Sequence, residues 1–374
     1  MPSYGMGGTT VSTRNLISLL ERDGYDCWVM PLIPQGLLSE LFDSVHRIKT
    51  PFIVRSLHIK SWKYEPSIIK KYAMAIIRLF KNNFGSLTDK LEEGSLNRII
   101  RKYQFNAVIA CQEGTTSRVI SKIKAHNKVA WVRCDYKRRL EDTGKSRDNF
   151  YGNYNSIVCV SKLTYTNFTT IFPEYISKTY CIPNPQDGEL ITSRAQMFEE
   201  DSKFVLQGKT LVSIGRFDEV KRFDMIASIA HRLCEQGLQF RWYLIGDGPE
   251  KERIVKSIQE NHVEDYVIML GPKKNPYYFI QKADVLVTLS RSEACPRVVN
   301  EAKVLHTPTV STDFPTIYEF IKDGETGLIA PLEQIPATII RLFSDDGLYN
   351  RLQEGIKGFS FDNTELIRNI ESII

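Results

Sequence analysis

No two of the seven cysteines (Cys27, Cys111, Cys134, Cys159, Cys181, Cys234, Cys295) stand at the two-to-four-residue spacing that zinc ligands and redox pairs use. An odd, dispersed set predicts reduced thiols in a reducing compartment. Runs such as Ser156-Ile-Val-Cys-Val160 make most of these cysteines small core hydrophobes. No uninterrupted apolar run reaches the roughly 18 residues of a membrane span, and the amino terminus lacks the basic-then-apolar pattern of a secretory leader. A cytoplasmic location is therefore expected. Internal repeats and low-complexity stretches are absent as well. The formal net charge of +5 is too small to imply a nucleic-acid partner, and none is expected.

What is present is a 374-residue chain, 42% hydrophobic and 25% charged, which is longer than one core usually grows. Two domains are expected. Charge is unevenly spread: residues 45–104 hold 13 Lys or Arg (Arg47, Lys49, Arg55, Lys60, Lys63, Lys70, Lys71, Arg78, Lys81, Lys90, Arg98, Arg101, Lys102) against four acids (Glu65, Asp89, Glu92, Glu93). Within this segment Ile68, Ile69, Tyr72, Ile76, Leu79 and Phe80 recur at helical spacing, giving an amphipathic basic helix. Two readings stand side by side. Either its apolar face meets the core and a basic back is solvated, or the helix contacts an anionic membrane or a lipid-phosphate acceptor at the inner membrane face.

Short apolar strands alternate with amphipathic helices along the chain. In the first half the patterns predict strands at 26–30, 105–110, 128–132, 156–160 and 179–182, and helices at 10–22, 67–82, 96–103, 115–125 and 162–171. The second half predicts strands at 210–214, 241–245, 267–270, 284–289 and 307–311. Helices near 223–235, 249–259, 277–283, 296–305 and 316–321 separate them. Strand, helix, strand at this spacing means right-handed crossovers and parallel sheets covered on both faces. The fold class is therefore α/β, with two doubly wound, Rossmann-like domains. A turn-rich stretch at 183–188, followed by polar sequence to Lys209 of weak periodicity, marks the hinge. Two such sheets facing one another would offer the carboxyl ends of their strands to a central cleft.

Four segments carry candidate chemistry. Val212-Ser-Ile-Gly-Arg-Phe-Asp-Glu-Val-Lys-Arg222 is a strand running into a glycine-containing loop, where free backbone N–H groups gather and Arg216 and Lys221 add charge for an anion. The competing reading is a solvated loop whose cations pair with Asp218, Glu219 and Asp224. Leu244-Ile-Gly-Asp-Gly-Pro249 is either a second close-approach turn for a ligand or a structural turn. In Ser290-Arg-Ser-Glu-Ala-Cys-Pro-Arg-Val-Val-Asn-Glu-Ala-Lys-Val-Leu305, Pro296 starts a helix and leaves Glu293 in the loop above the sheet. Glu301 falls beside Val298, Ala302 and Leu305, toward the packed side. A carboxylate drawn inward needs partners: sugar hydroxyls on one reading, a local cation such as Arg297 on the other. Finally, Gly5-Met-Gly-Gly-Thr-Thr10 opens the helix at 10–22. Only four residues precede it where a strand is due, so the first strand of this half is expected to be missing.

Taken together, residues 210–330 resemble the donor-binding domain of family 4 retaining glycosyltransferases of the GT-B fold. The resemblance rests on the Gly-Arg-Phe loop with Lys221, the Ile-Gly-Asp-Gly-Pro turn, and the glutamates Glu293 and Glu301. Pro308-Thr-Val-Ser-Thr-Asp and Glu319-Phe-Ile-Lys-Asp-Gly-Glu-Thr-Gly-Leu328 match as well. Gly7, Gly8 and the segments 158–162 and 182–185 resemble the family more weakly. The resemblance implies domains at 1–185 (acceptor side) and 186–356 (donor side), with 357–374 crossing back as a helix. It implies transfer of a sugar, with retention, from a nucleotide-sugar substrate to a surface-polysaccharide or lipid-linked glycan acceptor, as in capsule or lipopolysaccharide assembly.

Arg216 and Lys221 would hold the diphosphate and act with Glu293 in catalysis. Gly246 and Gly248 would line the nucleotide side, Gly215 would also bind the donor, Glu301 would hold the ribose and Glu293 the transferred sugar. Gly7 and Gly8 would approach from the first domain. No metal and no cofactor are implied. One departure stands out: Arg133 occupies a position where the family often carries a histidine, so it is carried over as a sugar contact. The alternative is a non-catalytic GT-B subunit that binds glycan or stabilises a partner transferase.

Overall fold

The second half is built on strands whose alternate residues belong to two different cores. The computed structural model describes residues 1, 3, 7–59, 65–144 and 146–374. Leu211, Trp242, Leu244, Val285 and Val287 pack on one side of the sheet with the helices Ile226–Glu235 and Ile335–Ser344. Val212, Tyr243, Ile245 and Leu286 pack on the other with Tyr277–Lys282 and Arg297–Val304. A sheet buried on both faces needs near-continuous apolar runs, which is what these strands carry. Among the polar groups buried in the sheet, Trp242 and Ser213 satisfy one another: the indole donates to Ser213 Oγ at 3.0 Å, and that hydroxyl donates to the Val287 carbonyl at 2.6 Å.

The chain divides into two compact units. One comprises Met1–Pro185 with Asn363–Ile374, the other Gln186–Asp362. The first holds β1 (Trp28–Val29), β2 (His46–Arg47), β3 (Ala107–Ala110), β4 (Asn127–Val132), β5 (Ser156–Cys159) and β6 (Thr179–Cys181). The second holds β7 (Lys209–Ile214), β8 (Phe240–Ile245), β9 (Val267–Gly271), β10 (Val285–Thr288), β11 (Thr309–Thr312) and β12 (Leu328–Ala330). Every strand pair is parallel. The second unit is a six-stranded sheet of order β12-β11-β10-β7-β8-β9. The first has the four-stranded order β3-β4-β5-β6 and a separate β1-β2 pair.

Several expectations change. The strand expected at 26–30 is confined to Trp28–Val29. Ahead of the amino-terminal loop the gap is partly closed: the Met1 amino group donates to the Met30 carbonyl at 3.1 Å, Leu32 N–H donates to the Met1 carbonyl at 3.0 Å, and Ser3 bridges Ile33 in parallel. Gly5 and Met6 of that loop lie outside the described residues, as do Lys60 and Lys63 of the basic segment. A largely apolar cavity of about 390 Å³ lies between β1 and β3, lined by Leu16, Ile17, Trp28, Ile100, Ala107 and Ile109 among others. The stretch read as polar hinge contains a helix, Gly188–Ala195, started by the Asp187 side chain accepting from Leu190 N–H at 3.0 Å. Residues 316–321 make a single 3₁₀ turn, Pro315–Glu319, and the closing helix is limited to Thr364–Glu371. None of the seven cysteines is in a disulfide among the described residues, but only Cys111 and Cys159 are buried, so the core-hydrophobe reading holds for those two.

The basic helix, observed at Ile68–Asn83, packs the opposite way from the core-facing reading. Met74 is its buried residue, and Arg78 donates to the Ser56 carbonyl at 2.8 Å and to the Ile59 carbonyl. Its broad apolar stripe faces outward, with Ile69 81% exposed. Periodicity shows that a helix has an apolar face; it does not show what that face meets.

Lys303 offers a test of packing in the second unit. Its ammonium is buried, donates to the Phe320 carbonyl at 2.9 Å and lies 4.3 Å from the Phe359 ring centroid. Burial pushes its pKa down from 10.5 to about 8. Between those values the unfolded chain binds more protons than the native one, so this group makes stability rise with pH over that window. Replacing Lys303 by Met should flatten that rise by ~1–3 kcal/mol in urea unfolding measured from pH 7.5 to 10.5. Parallel curves for the two proteins would contradict the assignment.

Candidate functional site

In the second unit the chain leaves β7 for β8 and β9, then returns to lay β10 on the other side of β7. Direction reverses there, so the loops leaving β7 and β10 part in opposite senses. The carboxyl ends of such a strand pair form the crevice where open parallel sheets take their ligands. Lys221 and Glu293 stand on those two loops. A cavity of about 10 Å³, room for one water, opens beside them between Ser213, Lys221, Phe223, Thr288 and Ser290.

The two charges are joined. Lys221 Nζ lies 2.7 Å from Glu293 Oε1, with the side chains 22% and 12% exposed. Ser290, fully buried, donates from Oγ to the same Oε1 at 2.7 Å. Thr312 Oγ1 donates to the Ser290 carbonyl at 2.7 Å, so the carboxylate is anchored through the sheet. The loops are also stapled by their backbones, since Arg291 N–H donates to the Val220 carbonyl at 2.8 Å. Glu293 Oε2 has no protein partner among the described residues. A half-buried carboxylate with one oxygen fixed and one free is set to accept a hydrogen bond from a ligand.

Arg216 follows from the alternation next to it. Phe217 is fully buried, 4.7 Å from the Phe223 ring centroid, and turns its neighbour outward. The Arg216 guanidinium is exposed and makes no ion pair among the described residues. The solvated-loop reading had these cations paired with nearby acids, and those acids are engaged elsewhere. Asp218 Oδ1 caps Lys221 N–H at 3.2 Å, Glu219 pairs with Arg291 at 3.3 Å, and Asp224 pairs with Arg253 at 2.9 Å.

The glycines have a reason of their own. Parallel pairing continues past the strand ends: Gly215 N–H donates to the Ile245 carbonyl and Phe217 N–H to the Asp247 carbonyl, both at 3.0 Å. The two loops therefore lie backbone against backbone. A Cβ on Gly246 would sit 1.9 Å from the Gly215 carbonyl oxygen, and one on Gly248 would sit 2.3 Å from that of Phe217. Gly246 and Gly248 thus have a structural reason of their own, as turns that let the loops meet. Gly215 lies against Lys221, with its would-be Cβ 3.7 Å from the lysine Cδ.

Glu301 is buried as its spacing predicts, and its partner in the structure is the local cation: Arg297 Nη2 donates to Glu301 Oε1. Burial opposes the Arg297 charge, but Glu301 and Tyr277 outweigh it and hold the guanidinium firmly protonated. In the first unit, Gly7 precedes and Gly8 begins the helix Gly8–Arg22; both are exposed, and nothing lies within 4 Å of a Cβ built on Gly7. Arg133 follows the carboxyl end of β4. Its guanidinium donates to Asn184 Oδ1 and lies 5.3 Å from the Trp131 ring centroid, while its N–H donates to Glu113 Oε2 at 2.8 Å.

Sequence reasoning missed Ser290, which orients Glu293. Its signal was a serine three residues before the glutamate at a strand's end. Among the described residues, no three His, Cys, Asp or Glu side chains cluster as metal ligands.

Residues 196–359 match the family model described as glycosyl transferases group 1. The chain is similar to N-acetyl-alpha-D-glucosaminyl L-malate synthase of Bacillus anthracis, at 29% identity over 39% of each chain. It is also similar to the lipopolysaccharide core biosynthesis glycosyltransferase LpsE of Rhizobium meliloti, at 31% identity over 38% of this chain and 42% of the relative. It spans about two fifths of the length of these curated relatives. Among solved structures, HepE of Anabaena, determined with UDP and glucose, superposes with a TM-score of 0.72 at 14% identity, covering 100% of this chain and 97% of that one. The fold is GT-B.

The loop-on-loop contact makes a prediction independent of any ligand. Gly248→Ala should lower stability by ~1–3 kcal/mol, because the Phe217 carbonyl must shift and strain its loop. Thermal unfolding checks it, and an unchanged transition would show that the contact is loose.

Proposed function

From the match of residues 196–359 to the group 1 glycosyltransferases, we propose that this chain moves a sugar from a nucleotide donor to a glycan or lipid-linked acceptor. The observation that carries the reading is the Lys221–Glu293 pair at the point where the sheet reverses direction. A nucleotide sugar presents two features to such a site, a diphosphate and a ring of hydroxyls. Among the described residues Lys221 keeps two N–H donors beyond the one given to Glu293, and Arg216 has no ion pair; both suit diphosphate oxygens. Glu293 Oε2 accepts from a sugar hydroxyl. Glu301, steadied by Arg297, offers its second oxygen to the ribose.

As the anomeric bond breaks, negative charge builds on the departing diphosphate. Two cations already in place stabilise that charge more than the ground state, so the reaction needs no metal in this reading. Retention of configuration, a cytoplasmic location, and Gly7, Gly8 and Arg133 as further donor contacts are part of the same proposal and rest on the family resemblance. UDP in the HepE structure makes UDP-sugars the first donors to try. The second reading, a glycan-binding GT-B subunit without turnover, is favoured by one observation: Arg133, where the family often has histidine, is tied to Asn184 and Trp131.

A panel of UDP-, GDP-, ADP- and CMP-sugars with chelator present tests the reading. One donor should be consumed, its sugar appearing with the donor's anomeric configuration. Glu293→Gln and Lys221→Ala should each lower the rate by about 10²-fold or more with folding preserved. Donor binding without turnover would favour the second reading. Neither turnover nor thermal stabilisation by any donor would overturn both.

A further inference from the structure

The helices Ile68–Asn83 and Gly85–Tyr103 of the first unit present an apolar surface that nothing in the proposed reaction uses. Ile68, Ile69, Tyr72, Ile76, Leu79 and Phe80 are each at least 50% exposed, and they fall in one arc of the first helix at spacings of three and four. Phe84 at the turn, then Leu87 and Leu91 one helical turn apart, add exposures of 52–56%. Scattered exposed leucines need no explanation; a continuous set of nine large side chains on two consecutive helices does.

We propose that this helical pair docks the protein onto an anionic phospholipid surface, its apolar arc entering the boundary between headgroups and acyl chains. Charge chooses this occupant. Ile68–Asn83 carries Lys70, Lys71 and Lys81, besides Arg78 turned to the Ser56 and Ile59 carbonyls, and no acid. Acids on the second helix are drawn away from the face: Glu92 is fully buried against His58 and Lys122, Asp89 pairs with Lys122 at 2.8 Å, and Glu93 pairs with Lys124 at 3.3 Å. Lys90, Arg98 and Arg101 of that helix are exposed. A second copy would bring the same cations against these, and like charges across an apolar contact oppose association. A negative lipid surface reverses that sign and accepts the apolar arc in the same step. The mode is interfacial, since no helix among the described residues is long and apolar enough to cross a membrane.

The pair is held to the rest of its unit from the other side. Met74, Thr88, Glu92 and Leu96 are its buried residues. Changes on the exposed arc therefore leave the fold intact.

The full chain should co-sediment with phosphatidylcholine vesicles containing phosphatidylglycerol at least ~10-fold better than with phosphatidylcholine alone, and less well as salt rises. The triple variant Ile69→Glu, Ile76→Glu, Leu79→Glu should lose binding while keeping the wild-type thermal transition. Lys70→Gln, Lys71→Gln, Lys81→Gln should weaken it by about 10²-fold, at roughly fivefold for each lysine. Equal binding to both vesicle types, or full binding by the glutamate variant, would overturn the proposal. So would self-association that the glutamate variant abolishes, which would assign the face to a second copy.

Discussion

The ion pair between Lys221 and Glu293 is the contact on which the candidate site depends. Its two partners come from loops after β7 and β10, 72 residues apart in sequence, and only the crossover that places those strands side by side brings them together. A pair of this exposure adds little to stability, because screening by water and the entropy of two long side chains offset most of the attraction. Its importance is positional. Ser290 fixes one carboxylate oxygen, Asp218 fixes the backbone of Lys221, and the Arg291–Val220 hydrogen bond keeps the loops at one separation. A ligand carrying both negative charge and hydroxyls can then meet each group without the loops having to find one another first.

Packing below explains why the loops stay there. Phe217 is inserted in the core under its own loop, and Gly246 and Gly248 let the next turn lie flat against it. One missing methyl group at each glycine does structural work that a binding role is not needed to explain. Glu301 follows a similar logic: its helix is buried nearly all round, and Arg297 one turn earlier supplies the countercharge that a buried carboxylate requires.

The second unit was legible in the sequence to a large degree. Most of its strands are largely apolar because both faces are covered, so the positions of β7 to β11, their parallel direction and the loops bearing Arg216, Lys221 and Glu293 could be read from pattern alone, while β12 was not among the strands expected. The pairing of Lys221 with Glu293 could not, because adjacency of β7 and β10 is a property of topology that neither local segment records. The first unit was harder. β1 and β2 are two residues each, too short to show alternation, and the pairing of Met1 and Ser3 beside Met30–Ile33 carries no sequence signature. The helix Ile68–Asn83 was found correctly, yet its orientation was not, since an apolar stripe looks the same whether it meets a core or a membrane.

The direct measurement of the central claim is calorimetric titration of a nucleoside diphosphate, UDP first and GDP next, into wild type, Lys221→Gln and Glu293→Gln. A diphosphate without sugar should feel Lys221 as an attraction and Glu293 as a competitor for that lysine. Lys221→Gln should therefore weaken binding about tenfold or more, and Glu293→Gln should leave it unchanged or tighten it. Equal affinity of wild type and Lys221→Gln would contradict the account, as would the absence of binding by either nucleotide.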